Sequence, residues 1–109
     1  LEKWYGQQLN LLITPILKKW EVILNVSVKK FSVRKMKTRW GSCTPKSQSI
    51  RFNLELAKTS SGNIEYVVVH ELVHLLEPSH NNRFKTIMDQ FYPNWKTCKK
   101  ELNKLDIRE

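Results

Sequence analysis

The segment from residue 64 to residue 76 is almost entirely apolar, yet it contains His70-Glu71-Leu72-Val73-His74. Its apolar residues point in nearly every direction around a helix, so the segment is predicted to be a buried helix. Two residues four positions apart lie about 40° apart on one helical face. The histidines therefore open one face of this helix to a cleft, and the rest of the chain must fold around it.

The spacing H-E-x-x-H is typical of a metal site. Imidazoles at positions 70 and 74 can hold one ion, and the carboxylate of Glu71, about 100° round the helix, can reach an activated water without being a ligand. His80, the third histidine, follows Pro78, where the chain can turn back and supply another ligand. Three imidazoles leave a fourth position for water, as in catalytic sites. We predict His70, His74 and His80 as metal ligands and Glu71 as the catalytic general base.

Other interpretations of the same residues stay open. His70 and His74 could be ordinary core histidines with His80 on the surface. A purely structural zinc is another possibility, with Cys43 as the fourth ligand. Zinc is the default ion for three imidazoles, but Ni²⁺ or another divalent transition metal also accepts them.

Two further residues are candidates for substrate binding. Arg39 could clamp an anionic group near the cleft, or pair with a core carboxylate. Tyr66 lies one turn before His70 and could donate to a developing oxyanion, or pack against the helix. The strand at 49–53 could be an edge that pairs with an extended peptide, although an ordinary hairpin strand is favoured.

Elements before the buried helix are predicted from periodicity. Residues 2–24 have helical spacing, with a kink or a division at Pro15. Alternation predicts a strand at 30–36, and turn residues join 39–43 to 49–53 as a hairpin.

After the buried helix, Ser79 is predicted to cap a third helix that reaches residue 91. Pro93 opens a fourth helix that runs to 105. The order of helix, strands and helices predicts an α+β fold with a small antiparallel sheet. Three tryptophans are predicted to lie in the core: Trp4, Trp20 and Trp95.

The length of 109 residues predicts one domain, 1–109. The chain starts at Leu1 without Met, so it is also compatible with the C-terminal core of a longer protein. Apolar content of 40% excludes a disordered chain, and no apolar run approaches the length of a membrane span. Cys43 and Cys98 are too few for a disulfide scaffold and indicate reduced thiols in a cytoplasmic protein.

The chain is strongly basic, with 19 Lys and Arg against 10 Asp and Glu and a net charge of +9. This charge attracts polyanions such as nucleic acid or nucleotides. The lysines are spread along the whole chain, so the charge could equally be a solvated surface.

Three blocks resemble the YgjP-like metal-dependent hydrolases, which are related to SprT-like and WLM-type metallopeptidases. The blocks are M-K-T-R-W-G-S-C at 36–43, I-R-F-N-L-E-L at 50–56, and Y-V-V-V-H-E-L-V-H-L at 66–75 followed by Pro78, His80 and Phe84. The resemblance continues to the Y-P-N-W-K segment at 92–96. It departs from the family at Lys85, where an aromatic residue is usual, and at Asn81, where serine is commoner. Longer members carry an N-terminal β-rich extension.

The resemblance implies a zincin-like fold, with the three histidines as metal ligands and Glu71 as the catalytic acid and base. It implies a zinc-dependent metallopeptidase acting on peptides or proteins. The alternatives are a UTP-type nucleoside triphosphate pyrophosphatase that uses the same site, or a non-catalytic nucleic-acid-binding module braced by the metal. Lys85 affects the expected packing or the rim of the cleft, and leaves the metal site itself unaffected.

Overall fold

The computed structural model describes residues 2–105, so Leu1 and residues 106–109 of the predicted domain lie outside the described part. It has an α+β architecture, as predicted. The elements in chain order are α1 (Glu2–Leu24), β1 (Lys30–Arg34), β2 (Gly41–Thr44), β3 (Ser49–Asn53), a 3-10 helix (Leu54–Lys58), α2 (Ser61–Val73), α3 (Asn82–Phe91) and α4 (Trp95–Lys104).

The first helix, α1, is a single element that includes Pro15, so the division predicted there does not occur. Pro15 and Leu11 are both exposed, and water can bond to the Leu11 carbonyl that Pro15 leaves without a donor. Trp4 lies on the side of α1 opposite the buried face and is 54% exposed. The prediction of a core Trp4 was therefore wrong, whereas Trp20 and Trp95 are buried as predicted.

The sheet has three strands in the order β1-β3-β2. The predicted hairpin of β2 and β3 is antiparallel, but β1 pairs with β3 in parallel, so the sheet is mixed and the fully antiparallel prediction was wrong. After β1, the chain passes the position of the central strand and forms the far edge as β2. It then returns between them as β3, in the same direction as β1. β1 also ends two residues earlier than predicted. Because β3 is central, the strand at 49–53 cannot be an edge.

A buried asparagine fixes the β1–β2 connection. Asn53 is fully buried at the end of β3, and its Nδ2 donates to the backbone oxygens of Met36 at 3.0 Å and Arg39 at 2.7 Å. Its Oδ1 accepts from the backbone N–H of Glu55 at 3.0 Å. Asn53 thus satisfies backbone groups that no strand pairs and sets the path of the chain up to Arg39.

The core lies between one face of the sheet and helices α1 and α2, and α2 is the most enclosed element. Four α2 side chains are fully buried: Val68, Val69, Leu72 and Val73. Ser60 caps the helix by accepting from the N–H of Asn63 at 3.3 Å, so α2 starts three residues earlier than predicted. It also ends three residues earlier, at Val73.

The last two helices are close to the predicted positions. α3 is capped by Asn81, whose Oδ1 accepts from the N–H of Phe84 at 3.1 Å, and the prediction of Ser79 as the cap was wrong. Pro78 and Ser79 instead belong to the turn that brings the chain back from α2. Among residues 2–105, no helix has the length and apolarity needed to span a bilayer.

Candidate metal centre

Three histidine nitrogens converge at the C-terminal end of α2. The Nε2 atoms of His70 and His74 lie 3.3 Å apart. The Nε2 atom of His80 lies 3.0 Å from that of His74 and 3.2 Å from that of His70. His70 and His74 meet because they are one turn apart, and His80 joins them because α2 stops at Val73 and the chain turns back.

The triangle of nitrogens fits a divalent transition metal. Tetrahedral zinc with Zn–N bonds of about 2.0–2.1 Å requires ligand nitrogens about 3.3 Å apart, which is the spacing found here. Within residues 2–105, the three histidines are the group of His, Cys, Asp and Glu side chains placed closely enough to hold one ion. Three imidazoles whose Nε2 atoms converge in this way form a donor set for a metal.

The second ring nitrogens fix how His74 and His70 face the centre. His74 Nδ1 lies 3.2 Å from the carbonyl oxygen of Glu77. Because a carbonyl only accepts, Nδ1 carries the proton and Nε2 keeps its lone pair for an ion. His70 Nδ1 lies 3.5 Å from the hydroxyl of Tyr66, which can donate to it or accept from it depending on the tautomer of His70.

Phe84 of α3 is an apolar wall behind all three imidazoles. Its ring centroid lies 5.0 Å from that of His70, 4.6 Å from that of His74 and 5.0 Å from that of His80. Phe84 is itself 2% exposed. It limits solvent access from the side of α3 and keeps the imidazole rings from rotating away from the centre.

Burial sets the protonation of the site. It lowers the pKa of His70 to about 3, with the neighbouring His74 and His80 acting in the same direction. Burial also lowers the pKa of His74. Both imidazoles are therefore neutral at physiological pH, which is the form that binds a metal.

The same burial acts on Glu71 in the opposite direction. It raises the pKa of Glu71 to about 8, although the guanidinium of Arg39 favours the ionised form and partly offsets it. A carboxyl group whose pKa lies near neutrality can both accept and return a proton. Glu71 is 5% exposed, follows His70 directly in α2 and is not one of the converging groups.

Edge strand β2 lies directly against Glu71. A Cβ added at Gly41 would meet Glu71 Oε2 and Val67 Cγ1, each at 3.1 Å, and the backbone oxygen of Arg51 at 3.2 Å. Only glycine fits this approach without displacing a neighbour. The β2 backbone at Gly41 is thus packed directly against the Glu71 carboxylate.

The residues predicted for substrate binding lie at the same place. Arg39 is exposed on the β1–β2 connection, close enough to Glu71 to lower its pKa. Tyr66 is 6% exposed beside His70, and burial together with the charge of Glu71 raises its pKa to about 12, so its hydroxyl keeps its proton. Cys43 points into the core from β2 and is not part of the histidine group.

The loop that carries His80 is fastened by its own side chains. The Glu77 carboxylate accepts from Asn81 Nδ2 at 2.9 Å and lies 3.9 Å from the guanidinium of Arg83. Asn81 also caps α3 next to Phe84. The third histidine, the α3 cap and the apolar wall are therefore positioned together.

Sequence reasoning assigned no role at the site to Gly41, Asn53 or Phe84. The contact of Gly41 with Glu71 depends on the register of β2, which periodicity does not supply. Phe84 follows His80 by four residues in an amphipathic helix, a spacing that signals packing but does not identify the partner.

A family model and solved structures match this chain. The family model described as YgjP-like, metallopeptidase domain matches residues 1–105. The fold is similar to the crystal structure of the metallopeptidase zymogen of Methanocaldococcus jannaschii jannalysin, with a TM-score of 0.71 and 19% identity over 84% of this chain and 88% of that one. It is also similar to that of the metallopeptidase zymogen of Pyrococcus abyssi abylysin, with a TM-score of 0.73 and 20% identity over 84% of this chain and 92% of that one. A search of curated proteins found no match.

Proposed function

The chain belongs to the YgjP-like metallopeptidase domain family, and from that premise we propose that it is a zinc-dependent peptidase with His70, His74 and His80 as ligands and Glu71 as general base. The observation that carries the proposal is the convergence of three histidine Nε2 atoms within 3.0–3.3 Å of one another beside a buried carboxylate. Zinc is the ion of choice for three neutral imidazoles, and Ni²⁺ is the closest competitor.

A bound divalent ion supplies Lewis acidity, which makes water a nucleophile near neutral pH and polarises the scissile carbonyl. Glu71 accepts the proton that the attacking water loses and then donates it to the leaving amine nitrogen. Its raised pKa supports both transfers, since a carboxylate of ordinary acidity would hold the proton too weakly. The protonated hydroxyl of Tyr66 and the guanidinium of Arg39 are the candidate donors to the developing oxyanion.

The free edge of β2 offers a place for an extended peptide. Among residues 2–105, β2 pairs with β3 on one side only, and it reaches Glu71 at Gly41. A peptide added along this edge would form main-chain hydrogen bonds and bring a carbonyl next to Glu71. The predicted pairing edge therefore moves from residues 49–53 to β2.

The proposal is tested by incubating zinc-loaded protein with a pool of unfolded proteins and the four nucleoside triphosphates, with products identified by mass spectrometry. Three proteins are compared: wild type, Glu71→Gln, and Glu101→Gln as a control at an exposed glutamate on α4. New peptide termini are expected with wild type and with the control, and none with Glu71→Gln, which should still bind zinc. Metal content measured on the same samples separates loss of the base from loss of the ion.

Other outcomes would overturn the proposal. Equal peptide cleavage by Glu71→Gln would remove Glu71 from the mechanism. Nucleoside monophosphate and pyrophosphate as the sole products would identify a pyrophosphatase acting at the same centre. Zinc binding without turnover of either substrate would favour the non-catalytic module.

A further inference from the structure

Nearly all of the net charge of this protein belongs to the sheet and its connections. Residues 22–54 contain eight of the 19 Lys and Arg and none of the 10 Asp and Glu, so this third of the chain carries +8 of the total of +9. All eight side chains are exposed. They are Lys29, Lys30, Arg34, Lys35, Lys37, Arg39, Lys46 and Arg51.

Three of these cations share the outer face of the sheet. Successive side chains of a strand point to opposite faces. The apolar residues of β1 and β3 pack into the core, so Lys30 and Arg34 of β1 and Arg51 of β3 point the other way. α2 and the histidine centre lie on the core side, so this outer face is separate from the candidate active site.

Hydroxyl groups lie between the cations. Arg51 pairs in register with Ser32 on one side and Ser42 on the other. Ser49 likewise lies between Lys30 and Thr44. The cations and hydroxyls, together with the core-facing residues Phe31 and Ile50, line a concavity of about 320 Å³.

The side chains on this face indicate which class of anionic partner it would bind. Arg, Lys, Ser and Thr are the side chains that contact phosphate oxygens in nucleic-acid complexes. Every outward position of the three strands is Lys, Arg, Ser, Thr or Asn. The outward positions of the described strands therefore supply no apolar side chain to enter a bilayer and no aromatic ring to stack on a base.

The cations on this face are available to a partner. Within residues 2–105, Lys30, Arg34 and Arg51 form no ion pair with a carboxylate. Lys30 and Arg34 are four positions apart, so the two lie about 13 Å from each other along β1. That distance covers about four phosphates of one strand at 3.4 Å per nucleotide.

We propose that the outer face of the sheet, defined by Lys30, Arg34 and Arg51, binds the phosphate backbone of nucleic acid without regard to base sequence. This activity goes beyond the proposed peptidase function and does not depend on it. The missing aromatic rings restrict recognition to charge and hydrogen bonds with phosphate, so binding weakens steeply with salt.

The test measures fluorescence anisotropy of labelled 30-nucleotide DNA of mixed sequence, single-stranded and duplex, between 50 and 200 mM salt. The test variant is Lys30→Gln/Arg34→Gln/Arg51→Gln. The matched control is Lys18→Gln/Lys100→Gln/Lys104→Gln, which removes the same charge from exposed positions on α1 and α4. Circular dichroism melting checks that both variants fold.

The outer-face variant should lose at least tenfold in affinity, and its plot of log K against log salt should become shallower by about 2–3 for three lost phosphate contacts. The control should change affinity less than threefold, and DNA of scrambled sequence should bind as well as the original.

Equal loss in both variants would reduce the effect to net charge and overturn the proposal. Failure of wild type to bind DNA at 50 mM salt, with binding to poly-glutamate or to phosphatidylserine vesicles, would also overturn it in favour of that partner. Peptide cleavage plays no part in the readout, so the two proposals can fail separately.

Discussion

The backbone of Gly41 lies against the carboxylate of Glu71, so closely that a Cβ at position 41 would sit 3.1 Å from Oε2. This contact joins the edge strand to α2, which carries His70 and ends next to His74. It fixes the distance between the place where a peptide could pair and the group that would move the proton. The contact involves two residues 30 positions apart in sequence, and it exists because β2 runs antiparallel to β3 beside α2.

Gly41→Ala should lower peptidase kcat/KM by about 10- to 100-fold, because a small displacement of a catalytic group has effects of this size. The added methyl group meets the Arg51 backbone at 3.2 Å, which cannot move easily, so the Glu71 side chain must give way. Zinc content should be unchanged. Gly6→Ala is the matched control, since its nearest contact is Leu54 Cδ1 at 3.8 Å and alanine favours the helix. Unchanged kinetics in Gly41→Ala would show that the carboxylate does not depend on this contact.

The convergence of His70 and His74 could be predicted from sequence because it depends on one helical turn. His70 and His74 share a face wherever the helix begins, so a three-residue error at each end of α2 did not matter. Placing His80 required only that the chain turn back after Pro78. The roles of these residues and of Glu71 remain predictions that the experiments above address.

The sheet could not be predicted to the same depth, because pairing partners distant in sequence are set by tertiary contacts. Alternation at 49–53 identified a strand but not whether it was central or at the edge. The parallel pairing of β1 depends on the buried amide of Asn53, which holds the crossing connection by bonds to Met36 and Arg39. Similarly, the basic residues are spread along the whole sequence. The strand register is needed to show that cations from the acid-free stretch at 22–54 share one face of the sheet.

The Asn81 side chain supports the third histidine. Asn81→Ala should lower the free energy of unfolding of the metal-free protein by about 1 kcal/mol through loss of the helix cap, and should weaken zinc binding because the contact with Glu77 is also lost. Asn81→Ser should retain most of the stability, since serine also caps helices. Urea denaturation and zinc titration against a chelator measure both effects. Equal losses in the alanine and serine variants would argue against capping as the cause.

His80→Ala should lower zinc affinity by at least about 100-fold, because it removes one of the three proposed imidazole ligands from a group that the fold already brings together. The rise in melting temperature that zinc produces in wild type should shrink accordingly, since stabilisation follows the ratio of free zinc to Kd. Ser79→Ala, at the exposed neighbouring position, serves as the control. Full zinc affinity in the alanine variant would make His80 a bystander and leave a two-histidine site.

The thiol of Cys43 should be unreactive at neutral pH. Burial, with a smaller contribution from the charge of Glu71, raises its pKa from 9.0 to about 11, so the thiolate fraction below pH 9 falls about 100-fold. Because the thiolate is the reacting form, alkylation in a Cys98→Ser background should be about 100-fold slower in native protein than in urea. The native rate should keep rising about tenfold per pH unit beyond pH 9. Iodoacetamide labelling followed by mass spectrometry between pH 7 and 10 measures this profile. A plateau near pH 9 would contradict the raised pKa, and strong protection by added zinc would restore Cys43 as a fourth ligand.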